Sequence, residues 1–159
     1  MKFSVSLDKT AKYLSLFIAL FVAATLIGTF LLSDDRQTIL IVGPIVSVTI
    51  FLAYLWKPSQ YEVTSEHVIV HRLIGAAKYE RSRIINVRAG EPDEIKNAIR
   101  LFGSGGMFGY FGKFRNQHLK TFVLQCTRRD NLVMIFTDKG LKVLSPDDPQ
   151  GMIQALQNK

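Results

Sequence analysis

The chain has 159 residues, of which 48% are hydrophobic, with 20 Lys and Arg against 13 Asp and Glu for a net charge of +7. Its one cysteine, Cys126, has no partner in the chain, which excludes a disulfide-stapled miniprotein. The uneven spread of charge, none between Tyr13 and Leu32 or between Gln37 and Trp56, excludes both a disordered chain and a simple cytosolic globule.

Residues 1–12 form a basic tail carrying Lys2, Lys9 and Lys12. Within it Phe3, Val5 and Leu7 alternate with Ser4 and Ser6, the period of a strand. Residues 2–7 are therefore expected to pair with a sheet edge of the domain that follows.

Tyr13–Leu32 is a run of 20 residues with twelve Leu, Ile, Phe or Val side chains. At about −0.3 to −0.6 kcal/mol each at a helix centre, these favour insertion by about −4 to −7 kcal/mol with no charge to oppose them. The length also suits a helix crossing the hydrocarbon layer. It exceeds the apolar region of a cleaved signal peptide, and Leu31-Leu32-Ser33-Asp34 offers no small-residue cleavage site.

Thr38–Trp56 is a second such run, with Pro44 near its start, where neighbouring backbone in a membrane bundle can absorb the lost hydrogen bond. The connection 33–37 is short enough to make the two helices antiparallel neighbours. Ala24-x-x-x-Gly28 offers them a small-residue contact. Lys and Arg concentrate before the first run and after the second, which predicts a hairpin with both termini on the cytoplasmic side.

Residues 57–60 read as a linker about 14 Å long at full extension. From Tyr61 the period changes to two. His67–Leu73, Arg83–Arg88, Lys120–Cys126, Leu132–Phe136 and Leu141–Leu144 read as strands. Arg128-Arg129-Asp130-Asn131 and Asp138-Lys139-Gly140 supply turn chemistry between them. Pro146-Asp147-Asp148-Pro149 then announces a helix, with Asp148 as cap and Pro149 in the first turn. Met152, Ile153 and Leu156 form its apolar stripe.

Three stretches together carry a resemblance: Gly106-Met-Phe-Gly-Tyr-Phe-Gly-Lys-Phe, Leu132-Val-Met-Ile-Phe-Thr-Asp-Lys-Gly and Val143-Leu-Ser-Pro-Asp-Asp-Pro. They are similar to bacterial pleckstrin-homology-like (PH) domain membrane proteins, over roughly Tyr61–Leu156. The resemblance implies a mainly β domain at 61–159, a seven-stranded bent antiparallel sheet or partial barrel closed by a C-terminal helix. With the two apolar runs it places the chain in a bacterial inner membrane. It implies no ligand, because headgroup binding would be borrowed from fold analogy alone.

Catalytic and metal chemistry find little footing. His67 and His71 share a strand face at a separation too long for one ion, and neither these nor His118 has Cys or carboxylate company at metal-ligand spacing. Ser104 lacks the Gly-x-Ser-x-Gly frame, and Cys126 reads as an inert strand thiol. Gly112-Lys113 is followed by Phe114 instead of Ser or Thr, which argues against a phosphate loop. No enzyme activity, cofactor or metal is expected, and no nucleic-acid motif accompanies the positive charge.

The segment 103–114 admits two readings. Its glycines can permit bulges and close backbone approach while Phe108, Phe111 or Phe114 packs inward. Alternatively Met107, Phe108, Tyr110 and Phe111 project from a loop to contact a protein partner, a second copy or the lipid interface, with Lys113 and Arg115 in electrostatic support. A separate basic set, Arg81, Arg83, Arg88 and Lys120, with Arg128 and Arg129 beyond it, is the candidate contact for anionic headgroups, each worth about 1 kcal/mol near a charged leaflet. The expected function is a non-catalytic, membrane-anchored interaction or assembly module on the cytoplasmic face. A sensor of anionic lipid headgroups is the alternative.

Overall fold

The computed structural model describes residues 1–32 and 36–158. Two apolar helices, α1 (Lys9–Leu32) and α2 (Arg36–Leu55), precede two β-sheets and a short C-terminal helix. Strands β1 (Lys2–Phe3), β2 (Pro58–Val63), β3 (His67–Arg72) and β4 (Ala76–Glu80) form a four-stranded sheet in that order. A six-stranded sheet follows: β5 (Ile84–Gly90), β6 (Ile99–Gly106), β7 (Gly109–Asn116), β8 (Lys120–Cys126), β9 (Leu132–Thr137) and β10 (Gly140–Leu144), in the spatial order β5-β9-β10-β8-β7-β6. All pairings are antiparallel except that of β10 with β8.

The sheet-rich region with its C-terminal helix is the expected architecture, but several boundaries differ. The expected linker 57–60 is mostly strand, because Pro58 already pairs with Arg72. The tail pairs with β2 through Lys2 and Phe3, opposite Glu62 and Tyr61, and Met1 exchanges hydrogen bonds with Val63, but the pairing does not extend to Leu7. Beyond Phe3 it stays attached by single bonds, the Asp147 amide donating to the Ser4 carbonyl at 3.0 Å and the Ser6 hydroxyl to the Asp147 carboxylate at 2.5 Å. Ten strands are present among the described residues in place of seven; β2, β4, β6 and β7 are the ones for which the sequence offers no assigned strand.

The first helix starts at Lys9, four residues before the apolar run, because Asp8 caps it: the Ala11 amide donates to Asp8 Oδ1 at 2.6 Å. Lys9–Leu31 is long and apolar enough to cross a membrane, whereas the apolar part of α2, Leu40–Leu55, is shorter. The helices lie side by side, with Leu26 against Gly43. Of the expected connection 33–37, Ser33, Asp34 and Asp35 lie outside the described residues.

Two apolar clusters hold the β region together. Tyr61, Val68, Val70, Val133, Ile135 and Leu144 pack between the sheets and beneath the C-terminal helix α3 (Pro149–Gln157), which contributes Met152, Ile153 and Leu156. Leu132 and Met134, of opposite parity on β9, belong instead to a second cluster with Tyr110, Phe114, Phe122, Leu124, Cys126 and Val143. Strand β9 is thus buried on both faces, which explains why it reads as a continuous apolar run. Helix α3 begins as its sequence signals, the Gly151 amide donating to Asp148 Oδ1 at 2.9 Å.

The buried Tyr61 illustrates how polarity is handled between these layers. Its hydroxyl donates to the Gln125 carbonyl at 2.6 Å and accepts from the Ser145 amide at 3.2 Å. Burial drives its pKa upward, so at neutral pH it is a neutral linker between strands.

Candidate interaction surface at the helix base

Segment 103–114 is a strand hairpin rather than a loop. Strands β6 and β7 pair from Ile99↔Arg115 to Gly106↔Gly109, leaving Met107 and Phe108 as a two-residue tip. The glycines make this possible. Gly103 and Gly112 are directly opposed, both at positive φ, and a Cβ on either would stand 2.0 Å from a carbonyl oxygen of the facing strand. Phe108 itself adopts φ 59° at the tip, a conformation that side chains other than Gly rarely take.

The hairpin docks on the first turns of α1. Ser15 Oγ accepts the Phe108 amide at 2.8 Å and donates to the Ala11 carbonyl at 2.6 Å. Ala11 is fully buried in the second cluster, and the Asp8 amide donates to the Thr127 carbonyl at 3.3 Å. On the other helix, the Phe108 ring meets Tyr54 edge-on at 5.2 Å. The β3–β4 turn touches the base from another direction, the Ile74 amide donating to the Leu55 carbonyl at 3.4 Å. The base of the helices is thus a structural part of the domain.

This arrangement separates the six residues expected to make contact. Tyr110 and Phe111 are buried; Tyr110 lies beneath the Arg129 guanidinium, 4.5 Å from its ring. Met107 and Phe108 are half-buried at the tip, while Lys113 and Arg115 are exposed. Successive residues of a strand face opposite ways: Tyr110 packs into the second cluster, while Phe111, on the other face, is covered at the groove lined by Leu14, Ile18 and Leu52 of the helix base.

The expected headgroup contacts are largely committed elsewhere. Arg81 donates to the Thr64 carbonyl at 2.9 Å and, through Nη2, to the carbonyls of Ala155, Leu156 and Asn158 at 3.2, 3.3 and 2.9 Å, holding the end of α3. Arg83 pairs with Glu80 and Asp138 at 2.8 and 3.2 Å. Arg88 forms a two-pronged pair with Glu94, at 2.8 and 2.5 Å, which holds the Glu94 carboxyl down at about 2. Lys120 is exposed at the start of β8, with no salt-bridge partner among the described residues.

The other residues weighed for chemistry have the following neighbours. His71 Nε2 lies 2.8 Å from Glu62, and His67 is 3.9 Å from Glu66. Among the described residues no three His, Cys, Asp or Glu side chains form a group able to hold a metal ion. Burial pushes the Cys126 thiol up to about 12, and Ser104 donates to the Met107 carbonyl at 2.6 Å to brace the hairpin tip.

What the sequence reading missed is the apolar surface of β6. It is the last strand of its sheet, and Ile99, Leu101 and Phe102 are 72%, 55% and 65% exposed. A register shift between Arg100 and Phe102 bulges the strand at Leu101. The run Ile99-Arg-Leu-Phe was the available signal, but the bulge breaks the alternation that would have marked it. Lys113 and Arg115, paired opposite Phe102 and Ile99, flank this apolar row with positive charge. Leu73 and Ile74 at the β3–β4 turn are also exposed.

A family model described as a bacterial PH domain matches residues 59–159. No curated protein and no solved structure matches the chain.

Proposed function

The chain belongs to the bacterial PH domain family, and on that footing we propose that it is a non-catalytic interaction module anchored in a bacterial inner membrane. Helices α1 and α2 form the anchor, a two-pass hairpin with both termini in the cytoplasm, and the sheets present a surface to partners on that face. Three features support the anchor: the apolar length of α1, the uncharged run of α2, and the Lys9, Lys12 and Lys57 collar at their shared end. Tyr13, Tyr54 and Trp56, all partly or largely exposed at the same end, suit a headgroup layer.

The observation that carries the reading is the burial of Ala11 and Ser15 against the body of the domain, with the Asp8 amide bonded to the Thr127 carbonyl. A loosely tethered domain would sample many orientations. This one holds a fixed pose relative to α1, so the same surface always faces a membrane-bound partner, and confinement to a thin layer raises effective concentration.

The contact surface is the free edge of β6, where Ile99, Leu101 and Phe102 lie beside Lys113 and Arg115. An exposed apolar edge strand is a pairing template that isolated proteins usually blunt, and strand addition to such an edge is a recurrent recognition mode. The partner is a second copy or another membrane protein offering an extended segment. Headgroup sensing through Arg81, Arg83 and Arg88 receives less support, since each is engaged by the domain itself.

A photo-crosslinking side chain introduced at Leu101 of the full chain in native membranes should give a discrete protein adduct. The same group at Lys139, on the exposed β9–β10 turn, should not. Equal labelling at both positions, or an adduct that survives Ile99→Asp, would refute the assignment of the edge.

A further inference from the structure

Between the helix base and β6 runs a groove of about 490 Å³, within the range of about 300–1,000 Å³ of small-molecule sites. Leu14 and Ile18 of α1, Leu52 of α2 and Trp56 just past its end wall one side, and Phe102 and Met107 the other. Arg100 is its one charged lining residue among those described. The Arg100 side chain lies over Gly105, with Cδ and Nη1 3.8 and 3.7 Å from where a Cβ would stand, ordinary contact distance. Unlike Arg83, Arg88 and Arg128, Arg100 has no carboxylate within salt-bridge distance among the described residues.

The depth of the groove decides what fills it. Ile18 lies six residues past Lys12, about 9 Å along α1, and Thr49, another lining residue, eight before Lys57, about 12 Å along α2. With the lysine collar at the headgroups, the groove runs from that layer into hydrocarbon. A cation without a protein counter-charge at the edge of an apolar slot is complementary to a phosphate attached to a chain. We propose that the groove holds one phospholipid of the cytoplasmic leaflet, with an acyl chain between Ile18, Leu52 and Phe102 and the phosphate on Arg100. The site rests on the membrane-anchored reading above. It differs from headgroup sensing in requiring the acyl chain.

Trp56 is the single tryptophan of the chain and lines the groove, so its fluorescence reports occupancy. The full chain in maltoside micelles is titrated with a phosphatidylglycerol brominated on its acyl chains. Bound lipid quenches Trp56 saturably at low mole fraction. Arg100→Gln, which removes a charge-assisted bond to phosphate, raises the half-saturation point about tenfold. Ala53→Phe, which fills the groove, abolishes the saturable component, and soluble glycerol phosphate does not compete. Quenching proportional to lipid mole fraction and equal in all three proteins overturns the site, as does competition by glycerol phosphate. Vesicle flotation of the same samples separates the two claims. A chain that floats but quenches in proportion refutes only the lipid site, whereas one that fails to float refutes the anchor as well.

Discussion

Replacing Ser15 with Ala tests whether α1 and the domain form one body. Ser15 is 9% exposed, and its hydroxyl is the acceptor for the Phe108 amide at 2.8 Å. The substitution removes one oxygen and leaves that amide without its partner in a site closed by Ala11, Tyr54 and the hairpin. Orphaning a buried donor costs about 1–3 kcal/mol, and the same range corresponds to about a 5- to 150-fold change in an equilibrium. The cost falls on local opening of the tip, since the β6–β7 ladder does not include this bond. Amide exchange of the full chain in detergent should therefore speed up at Phe108 by a factor in that range. Amides of β9, buried on both faces, should exchange as before and serve as the internal reference. Unchanged exchange at Phe108 would mean that the docking bond does not exist, and faster exchange in β9 would mean that Ser15 supports the whole core instead of the tip alone.

Three further outcomes follow from the packing. Gly112→Ala places a methyl 2.0 Å from the Phe102 carbonyl at a φ of +125°, where backbone strain alone costs on the order of 1–3 kcal/mol. The hairpin should open, seen as new protease cleavage within β6, while Gly140→Ala, also at positive φ (+101°) but on the β9–β10 turn with open space around it, should leave β6 uncut. The Arg88–Glu94 pair sets a pH dependence. The Glu94 carboxyl sits at about 2 when folded, below its ordinary value near 4.5. Its contribution is complete above about pH 4.5 and is lost as pH falls toward 2, so the Tm of the wild type should drop more across that window than that of Glu94→Gln. Finally, Cys126, buried and raised to about 12, should resist iodoacetamide at pH 8 in the folded chain and react fully in denaturant.

The sequence alone determined whatever rests on short-range pattern. Two uncharged runs establish the apolar helices. The Asp148-Pro149 start with Met152, Ile153 and Leu156 establishes α3, and Leu132–Phe136 establishes a strand with no solvent face. Each of these is a periodicity or a cap that the chain carries within a few residues. Tertiary structure decided the rest, because the deciding partners are distant in sequence. Whether Phe111 points in or out depends on its pairing with Ser104 and Gln125. Arg81 ceases to be a surface cation only when the end of α3, more than 70 residues away, comes to its guanidinium. The bulge at Leu101 hides β6 from any alternation rule. The burial of Ala11, an unremarkable residue in the sequence, appears only once Tyr110 and Cys126 are folded against it.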